Sequence, residues 1–415
     1  MKSKTLFYLI LIIFLASLIP AMRAQTFSVL HSFTEGPDGT VPYAGVTIRG
    51  NALYGTTTGF SQSYNCGAVY QLTRSGSNWL FSTLASFSGT HFCWPLARVV
   101  FGPDGHLYGT TQGGGMSGYG TVFKLTPPVG LCKTAACYWT VTELHGFGSG
   151  TDGLLPGYGD LTWDQQGNIY GTTSDGGTSR RGTVYELTPS GNGYTESFLY
   201  SFSGPDGATP YAGLVFDNKG NLFGTTAYGG TNDEGTVYEL SYVPGVGWTE
   251  HVIRDFQNAS DGAYPIGGLT FDSAGNLYGT TAGGGNGDAG TVFELSPSGD
   301  TWIYKVLYRF SGPKYCGSWA ALSMDGAGNL YGTTYCGGIY NQGSVFKLSN
   351  TQNGWLYTSL HDFTGGTDGG GGAPTEVWSN VAIDTDGTLY GTTPAGGDMN
   401  RCSGYGCGVV WMIKP

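Results

Sequence analysis

The sequence predicts an all-β protein, a seven-bladed β-propeller of four-stranded blades. The first reason is a repeated tetrapeptide, Tyr-Gly-Thr-Thr, in which Phe replaces Tyr once. Its seven copies begin at Tyr54, Tyr108, Tyr170, Phe223, Tyr278, Tyr331 and Tyr390. The copies lie 53 to 62 residues apart, about 56 on average, so seven units use up nearly all of the 415 residues. A period of this length is typical of propellers and solenoids.

The second reason is that each unit contains four short apolar segments. In the fourth unit these are Tyr211–Phe216, Leu222–Thr226, Gly235–Leu240 and Trp248–Phe256, separated by Gly, Asp, Asn and Pro. Short segments rich in Val, Thr, Tyr and Phe predict strands, and no stretch has a helical period. Four strands in each of seven units describe a propeller.

The two ends of the chain predict how the ring closes. A copy of the fourth segment, Phe27–Phe33, precedes the first unit, whereas the last unit ends after its third segment. We expect Phe27–Phe33 to be the outer strand of the blade whose three inner strands come from Val377 to Ile413. This pairing closes the ring and leaves no blade face uncovered.

Residues 1–24 have the features of a secretory signal peptide: Lys2 and Lys4, an apolar run from Leu6 to Ile19, and small residues up to Ala24. A retained N-terminal anchor is the alternative, but the run is short for a membrane span. We therefore predict a mature chain of residues 25–415 that is one propeller domain, secreted or periplasmic, without a membrane span and monomeric.

Composition excludes one class of protein and disfavours one kind of partner. Aromatic residues make up 14% of the chain, which excludes an intrinsically disordered protein. Removal of the signal segment with its three basic residues takes the formal net charge from −11 to −14. An acidic surface disfavours nucleic acid as a partner, because phosphate backbones require clustered Lys and Arg.

Eight cysteines in an exported chain predict four disulfides. In a propeller, the loop that leads into the first strand of a blade (the entering loop) and the loop between strands two and three lie on the same face, here called the top face. Topology therefore predicts the pairs Cys66–Cys93, Cys316–Cys336, Cys402–Cys407 and, on the opposite face, Cys132–Cys137. A Cys-ligated metal site is the alternative, but the paired CxxC spacing is missing.

Candidate binding residues also map to the top face. Five entering loops supply Asp38, Asp152, Asp206, Asp261 and Asp368, and the ends of the second strands supply Thr57, Thr111, Thr173, Thr226, Thr281, Thr334 and Thr393. The loops between strands two and three add Asp175, Asp233, Glu234, Asp288, Asp398, Tyr119, Tyr228, Tyr335, Tyr340 and Tyr405. Hydroxyls, carboxylates and aromatic faces at a concave rim suit sugar or peptide recognition. The alternative is that Asp-Gly only makes turns and Thr-Thr only fills strand ends.

No catalytic residue and no cofactor are predicted. His31, His145 and His361 share one repeated position, which Ala85, Tyr200, Arg254 and Tyr308 occupy in other units, so we interpret it as a solvated strand face. The motifs of zinc hydrolases, serine hydrolases and P-loop proteins do not occur. The turn at Asp384 resembles a calcium loop but offers too few oxygen ligands.

The repeat, roughly GNLYGTTAGGG followed by GTVFELxPSG, resembles the GloVer-type tandem repeat of secreted or surface-anchored bacterial proteins. The resemblance covers all seven units and is weakest in the first, which reads GNALYGTTTG before a long insertion. It implies a propeller fold and an extracellular location, and it implies no activity. Many members carry a C-terminal sorting anchor, whereas this chain ends inside its last predicted strand, so we expect no anchor.

Two classes of function follow. The first is an extracellular binding or scaffold module that recognises glycan or protein on the top face. The second is an enzyme acting on extracellular polysaccharide or lactone, a lyase or hydrolase with a metal on the top face. An enzyme requires paired acids with shifted pKa values, or a charged cluster at the channel mouth that breaks the seven-fold pattern.

Overall fold

Seven four-stranded antiparallel sheets make up the protein in the computed structural model, which describes residues 25–59, 66–89, 91–130, 138–148, 151–191, 193–257, 260–370 and 379–414. The predicted signal peptide and the cysteines of the predicted Cys132–Cys137 pair lie outside the described residues. The sheets are the blades of a seven-bladed propeller, numbered here from blade 1, which contains Ala52–Thr57, to blade 7, which contains Leu389–Thr393.

Each blade runs from an innermost strand to an outer strand in chain order. The innermost strands are Thr47–Arg49, Val100–Phe101, Thr162–Trp163, Val215–Phe216, Thr270–Phe271, Ser323–Met324 and Ala382–Ile383. The second strands are Ala52–Thr57, Leu107–Thr111, Ile169–Thr173, Leu222–Thr226, Leu277–Thr281, Leu330–Thr334 and Leu389–Thr393.

The third strands are Ala68–Ser75, Thr121–Thr126, Thr183–Ser190, Thr236–Val243, Thr291–Ser298, Ser344–Thr351 and Val409–Lys414. The outer strands are Asn78–Ser86, Thr140–Gly146, Gly193–Ser201, Gly247–Asp255, Thr301–Arg309, Gly354–Asp362 and, in blade 7, Thr26–Ser32. Short ladders join Phe92–Cys93 to Gly113–Gly114 and Gly153–Leu154 to Asp175–Gly176, and single 3₁₀ turns occur at Asn286–Asp288 and Cys402–Gly404.

The two ends of the chain meet in blade 7, as predicted. Thr26 pairs with Lys414 and Ser32 pairs with Val409, so the N-terminal strand is the outer strand of the C-terminal blade. Blade 7 therefore has four strands, as the other six blades do, and it covers the faces that blades 6 and 1 turn towards it.

The first threonine of the repeated tetrapeptide joins neighbouring blades. Its buried hydroxyl donates a hydrogen bond to a backbone carbonyl just before the innermost strand of the next blade, for example from Thr225 to Gly267 at 3.1 Å. The same bond forms at Thr56, Thr172, Thr280, Thr333 and Thr392. The bond from Thr392 to Ala44 closes the ring. At Thr110 the hydroxyl is buried without a partner among the described residues, and the facing entering loop has an additional residue, Gly157.

The glycine of the tetrapeptide makes room for an aromatic ring of its own blade. Gly171 pairs directly with Tyr185 on the third strand, and a Cβ atom at Gly171 would clash with the tyrosine ring. An aromatic ring covers the equivalent glycine in all seven blades. The close approach that requires glycine is therefore between strands of one blade.

Aromatic contacts fill the spaces between blades. The tetrapeptide tyrosine packs edge-to-face on the innermost strand of the next blade, as Tyr54 does on Phe101 and Tyr170 on Phe216, with ring centroids 5.0 and 5.1 Å apart. Its hydroxyl donates to the aspartate of the preceding turn in several blades, such as Tyr170 to Asp164 at 3.0 Å. The aspartate turn between the first and second strands is thus bonded to its own blade.

Three disulfides connect loops of the top face, Cys66–Cys93, Cys316–Cys336 and Cys402–Cys407, and they confirm three of the predicted pairs. Disulfides of this kind are typical of proteins of oxidising compartments outside the cytoplasm. In the part of the chain that the structure describes, no helix is long and apolar enough to cross a membrane.

Candidate functional site

The five predicted aspartates lie apart, one at each of five blade boundaries. Each aspartate lies close to an outer-strand residue that is six or seven positions before it in the chain. Asp38 contacts His31 at 3.2 Å, Asp206 accepts a hydrogen bond from Tyr200 at 2.7 Å, Asp368 contacts His361 at 3.0 Å, Asp261 pairs with Arg254, and Asp152 lies beside His145. The structure does not bring these five carboxylates together into one site.

This arrangement corrects the interpretation of the histidine position as a solvated face. The side chains of His31, His145 and His361 are each only 20% exposed, because the outer strand of the next blade covers them. Burial raises the pKa of Asp38, but hydrogen bonds from His31 and Thr34 outweigh this and hold it below its usual range. The loop aspartates thus tie an outer strand to the entering loop that follows it.

The predicted threonines at the ends of the second strands are buried. The hydroxyl pairs with a third-strand threonine or serine in five blades, for example Thr173 with Thr183 at 2.7 Å. The other four pairs involve Thr111, Thr226, Thr281 and Thr334, whereas Thr393 donates to a loop carbonyl and Thr57 faces Ala68, which has no hydroxyl. A binding role for these residues stays a prediction, and their burial leaves the loops above them as the accessible surface.

Seven aromatic side chains follow one another along the top face from blade 3 to blade 6. We call them the aromatic rim: Tyr158, Tyr211, Tyr228, Tyr264, Tyr315, Trp319 and Tyr335. Ring centroids of Tyr158 and Tyr211 are 4.9 Å apart, and those of Trp319 and Tyr335 are 4.6 Å apart in a stacked pair.

Tyr264 lies in the middle of the aromatic rim. Its ring centroid is 5.6 Å from that of Tyr228 and 5.7 Å from that of Tyr315. Tyr211, Tyr264 and Trp319 also pack against one buried cluster, which consists of Ala227, Ile266 and Ala282. The rings therefore form one connected surface across four blades.

Backbone conformation fixes Tyr264 and Tyr315 on the rim. Both have positive φ, 58° and 62°, a region that bulky residues rarely occupy. Their backbone N–H groups donate to carbonyls of the preceding blade's loop, from Tyr264 to Glu234 and from Tyr315 to Asp288, both at 2.8 Å. Positive φ also occurs at the equivalent position of other blades, at Val41, Trp94, Leu155 and Thr209. The fold therefore requires this backbone conformation, whereas the side chain at this position differs between blades.

Charged groups accompany the aromatic rim over blades 4 to 6. Lys314 forms an ion pair with Asp288 at 2.9 Å, and its ammonium lies 4.7 Å from the centre of the Tyr315 ring. The hydrogen bond to Asp288 raises the pKa of Lys314. Burial and the adjacent Glu234 carboxylate raise the pKa of Tyr264 to about 12, and burial likewise raises the pKa of Glu234. At neutral pH the rim therefore presents the Tyr264 hydroxyl as a donor next to the Glu234 carboxyl group.

The aromatic rim borders the central channel, which has a volume of about 290 Å³. Of the described residues that line it, only Arg98 and Asp160 are charged. The guanidinium Nε donates to Asp160 at 2.9 Å, and the Arg98 backbone N–H donates to the same carboxylate at 3.2 Å. Equivalent positions in the other units are Gly45, Gly213, Gly268, Ala321 and Asn380. The ion pair therefore breaks the seven-fold pattern next to Tyr158.

Two acidic side chains with raised pKa values lie between blades, away from the channel. Burial, followed by the charge of Asp152, raises the pKa of Glu196 to about 8. Burial and Asp206 raise the pKa of Glu250 to about 7. Each glutamate is on the outer strand of one blade and faces the aspartate of the loop that enters the same blade.

The remaining predicted loop residues lie outside the aromatic rim. Tyr119, Tyr340 and Tyr405 are exposed on other loops of the top face. Asp175 and Asp398 pair with arginines of their own loops, and Asp233 accepts a hydrogen bond from the Gly229 backbone N–H. In the turn that resembles a calcium loop, Asp384 and Asp386 accept backbone N–H groups of Thr385 and Thr388. These carboxylates act locally within their loops.

Sequence reasoning identified part of the rim and missed its centre. Tyr228, Tyr335, Glu234 and Asp288 are predicted from the loops between strands two and three. The missed rim residues lie in entering loops, where the recurring Asp-Gly turn is the visible signal; they are Tyr158, Tyr211, Tyr264, Tyr315 and Trp319. A comparison of the residue two places after that glycine across the units would have found Tyr264, since Val41 and Thr209 occupy its position elsewhere.

The fold and this site define a β-propeller with an asymmetric aromatic rim on its top face. A sequence profile described as the Gloeobacter/Verrucomicrobia repeat matches residues 19–214 and 139–320, more than half of the chain. The chain belongs to this repeat family. No curated protein matches the sequence significantly.

Solved structures resemble the chain in fold. PorZ, a surface component of the type-IX secretion system of Porphyromonas gingivalis, is 13% identical, with a TM-score of 0.51 over 93% of this chain and 48% of PorZ. The extracellular domain of a protein assigned as a one-component system of B. thetaiotaomicron is 12% identical, with a TM-score of 0.51 over 93% of this chain and 40% of that one. A PL25 ulvan lyase is 10% identical, with a TM-score of 0.50 over 80% of this chain and 86% of the lyase. At these identities the likeness shows the fold alone.

Proposed function

We propose that the protein is an extracellular binding module that takes carbohydrate on the aromatic rim. The supporting observation is the connected surface of tyrosine and tryptophan rings over blades 3 to 6, bordered by Glu234, Asp288 and Lys314. Sugars present C–H faces that pack on aromatic rings and hydroxyls that bond to carboxylates and to tyrosine O–H groups. The side chains differ between blades here, whereas the threonines and turn aspartates recur, and asymmetry is expected of a site.

Secretion supports the same proposal. The predicted signal peptide and the three disulfides favour a location outside the cytoplasm. Polysaccharides are the abundant polar polymers of that location. A protein ligand on the same face is the alternative within this class.

Affinity electrophoresis through gels containing soluble plant, algal and bacterial polysaccharides tests the proposal, with isothermal titration for any polysaccharide that retards the protein. We expect Tyr264→Ala to weaken binding at least tenfold, which corresponds to about 1.4 kcal/mol. Tyr264→Phe keeps the stacking face and retains most of the affinity.

Tyr242→Ala is the matched control, because Tyr242 is an exposed tyrosine, 61% accessible, on the opposite face. This variant should bind as the unchanged protein does. Equal losses in Tyr264→Ala and Tyr242→Ala, or no retardation by any polysaccharide, would contradict the proposal.

A second candidate function is catalysis on extracellular polysaccharide. The observation that favours it is the Arg98–Asp160 pair, the charged group that breaks the pattern inside the channel beside the rim. Incubation with each polysaccharide that binds, followed by an assay for new reducing ends and for unsaturated uronate absorbance, tests it. Activity that Asp160→Asn abolishes while binding persists would establish the enzyme.

A further inference from the structure

A contact between a histidine, an aspartate and a phenylalanine recurs where the outer strands of neighbouring blades meet. The imidazole of His361 on blade 6 stacks on Phe27 of blade 7, with ring centroids 3.7 Å apart, and its Nε2 is 3.0 Å from Asp368. The same three residue types meet at the boundary of blades 7 and 1, where His31 stacks on Phe81 at 4.2 Å. A β-bulge in the outer strand next to each histidine fixes its direction.

At the boundary of blades 2 and 3 the phenylalanine is replaced by Glu196. His145 and Asp152 occupy the histidine and aspartate positions, and His145 Nε2 lies 3.3 Å from Glu196 Oε2. One ligand atom from each of the three residues lies within 4.8 Å of the other two. We call these residues the interblade cluster.

The interblade cluster contains buried polar atoms without partners. His145 Nε2, Asp152 Oδ1 and Glu196 Oε1 are inaccessible to solvent and form no hydrogen bond among the described residues, although His145 Nε2 lies at ion-pair distance from the other Glu196 oxygen. The Glu196 side chain is only 11% exposed. Buried polar atoms are nearly always satisfied in proteins, so three that converge from three chain segments indicate a missing ligand.

We propose that the interblade cluster binds one zinc ion through His145, Asp152 and Glu196. One imidazole nitrogen and two carboxylate oxygens form a donor set that zinc accepts, and water can fill the fourth position. Ligand atoms of one tetrahedral zinc, bound at about 2.0–2.2 Å, lie roughly 3.4 Å from one another. The three ligand atoms of the interblade cluster lie within 4.8 Å of one another, so side-chain rotations are needed to close them around the ion. The ion would tie the outer strands of blades 2 and 3 together at a boundary where no ring of the described residues stacks on the histidine.

The test is zinc titration of the whole mature protein after removal of metal with EDTA and dialysis. Isothermal titration with ZnCl₂ should give one site per chain, and saturating zinc should raise the midpoint of thermal unfolding. Absence of zinc binding at 100 μM, or a stoichiometry unaffected by changes to the cluster, would overturn the proposal.

Glu196→Phe is the most informative variant, because it recreates the packing found around His31 and His361 and should therefore fold. We expect it to bind no zinc at this site. Glu196→Gln keeps the shape of the side chain and removes the charge, and it should weaken zinc binding at least about tenfold, since loss of even an outer-shell partner costs this much.

His361→Ala is the matched control, because His361 occupies the same repeated position without a glutamate partner. Its zinc affinity should equal that of the unchanged protein. Unaltered affinity in both Glu196 variants, or loss of the site in His361→Ala, would refute the assignment. These experiments do not depend on carbohydrate binding.

Discussion

The hydrogen bonds between blades allow a prediction with an internal control. The change is Thr225→Val, which replaces a hydroxyl by a methyl group of nearly the same shape. Thr225 is 1% exposed, and its hydroxyl donates to the Gly267 carbonyl of the next blade at 3.1 Å. The matched change is Thr110→Val, at the same position of blade 2, where the buried hydroxyl has no partner among the described residues.

The two substitutions should have different effects on the free energy of unfolding. Removal of the Thr225 hydroxyl leaves the buried Gly267 carbonyl without this hydrogen-bond donor, which lowers the free energy of unfolding by about 1–3 kcal/mol. Removal of an unpaired buried hydroxyl at Thr110 costs nothing and can stabilise the protein, because a buried polar group without a partner is itself unfavourable. With an unfolding entropy of about 2.1 cal/mol/K per residue, Thr225→Val should lower the thermal midpoint by roughly 1–4 °C.

Differential scanning calorimetry of the three proteins under one buffer condition measures the effect. Thr225→Val should unfold at a lower temperature, and Thr110→Val should unfold at the same or a higher temperature than the unchanged protein. Equal destabilisation by both variants would refute the reasoning, because it would mean that the methyl group, and not the lost bond, causes the change.

Other predictions concern packing, the disulfides and pH. Gly171→Ala should destabilise the protein by about 1–3 kcal/mol, because the new Cβ meets the third-strand tyrosine ring, whereas Gly326→Ala, in open space, should be neutral in the same urea titration. Replacement of both cysteines of the Cys66–Cys93 disulfide by serine, which frees a loop of 27 residues, should lower the free energy of unfolding by about 3–4 kcal/mol in urea titrations. Glu250 keeps its proton to a pKa of about 7 in the folded protein, against 4.5 ordinarily, so stability falls as pH rises through this range. Glu250→Gln should therefore make the free energy of unfolding less dependent on pH. The change in slope should be less than about 1.4 kcal/mol per pH unit, because the carboxyl is partly exposed. Unfolding midpoints measured from pH 4.5 to 8 test this.

The sequence was sufficient for the fold because each level of the pattern repeats. The tetrapeptide spacing predicts the number of blades, and the isolated segment Phe27–Phe33 predicts the closure. Three disulfides follow from the loop positions alone. All of these depend on chain order and on periodicity, which are visible in one dimension.

The site could be predicted only in part, because it depends on how neighbouring blades meet. The position of Thr57 and its counterparts at strand ends predicts that they reach the rim, yet their side chains are buried. The cluster of His145, Asp152 and Glu196 spans a blade boundary, and nothing in the sequence order of one unit reveals that an outer-strand glutamate faces the preceding unit's histidine. Similarly, the ion pair of Arg98 and Asp160 joins residues 62 positions apart.

The claim that the aromatic rim is the binding surface is tested most directly by hydrogen–deuterium exchange, with and without the polysaccharide that binds best. Binding at the rim should slow exchange in the loops at 228–235, 260–267 and 312–319, and should leave the hairpin at 241–249 on the opposite face unchanged. Slower exchange confined to other loops, or to the opposite face, would contradict the claim.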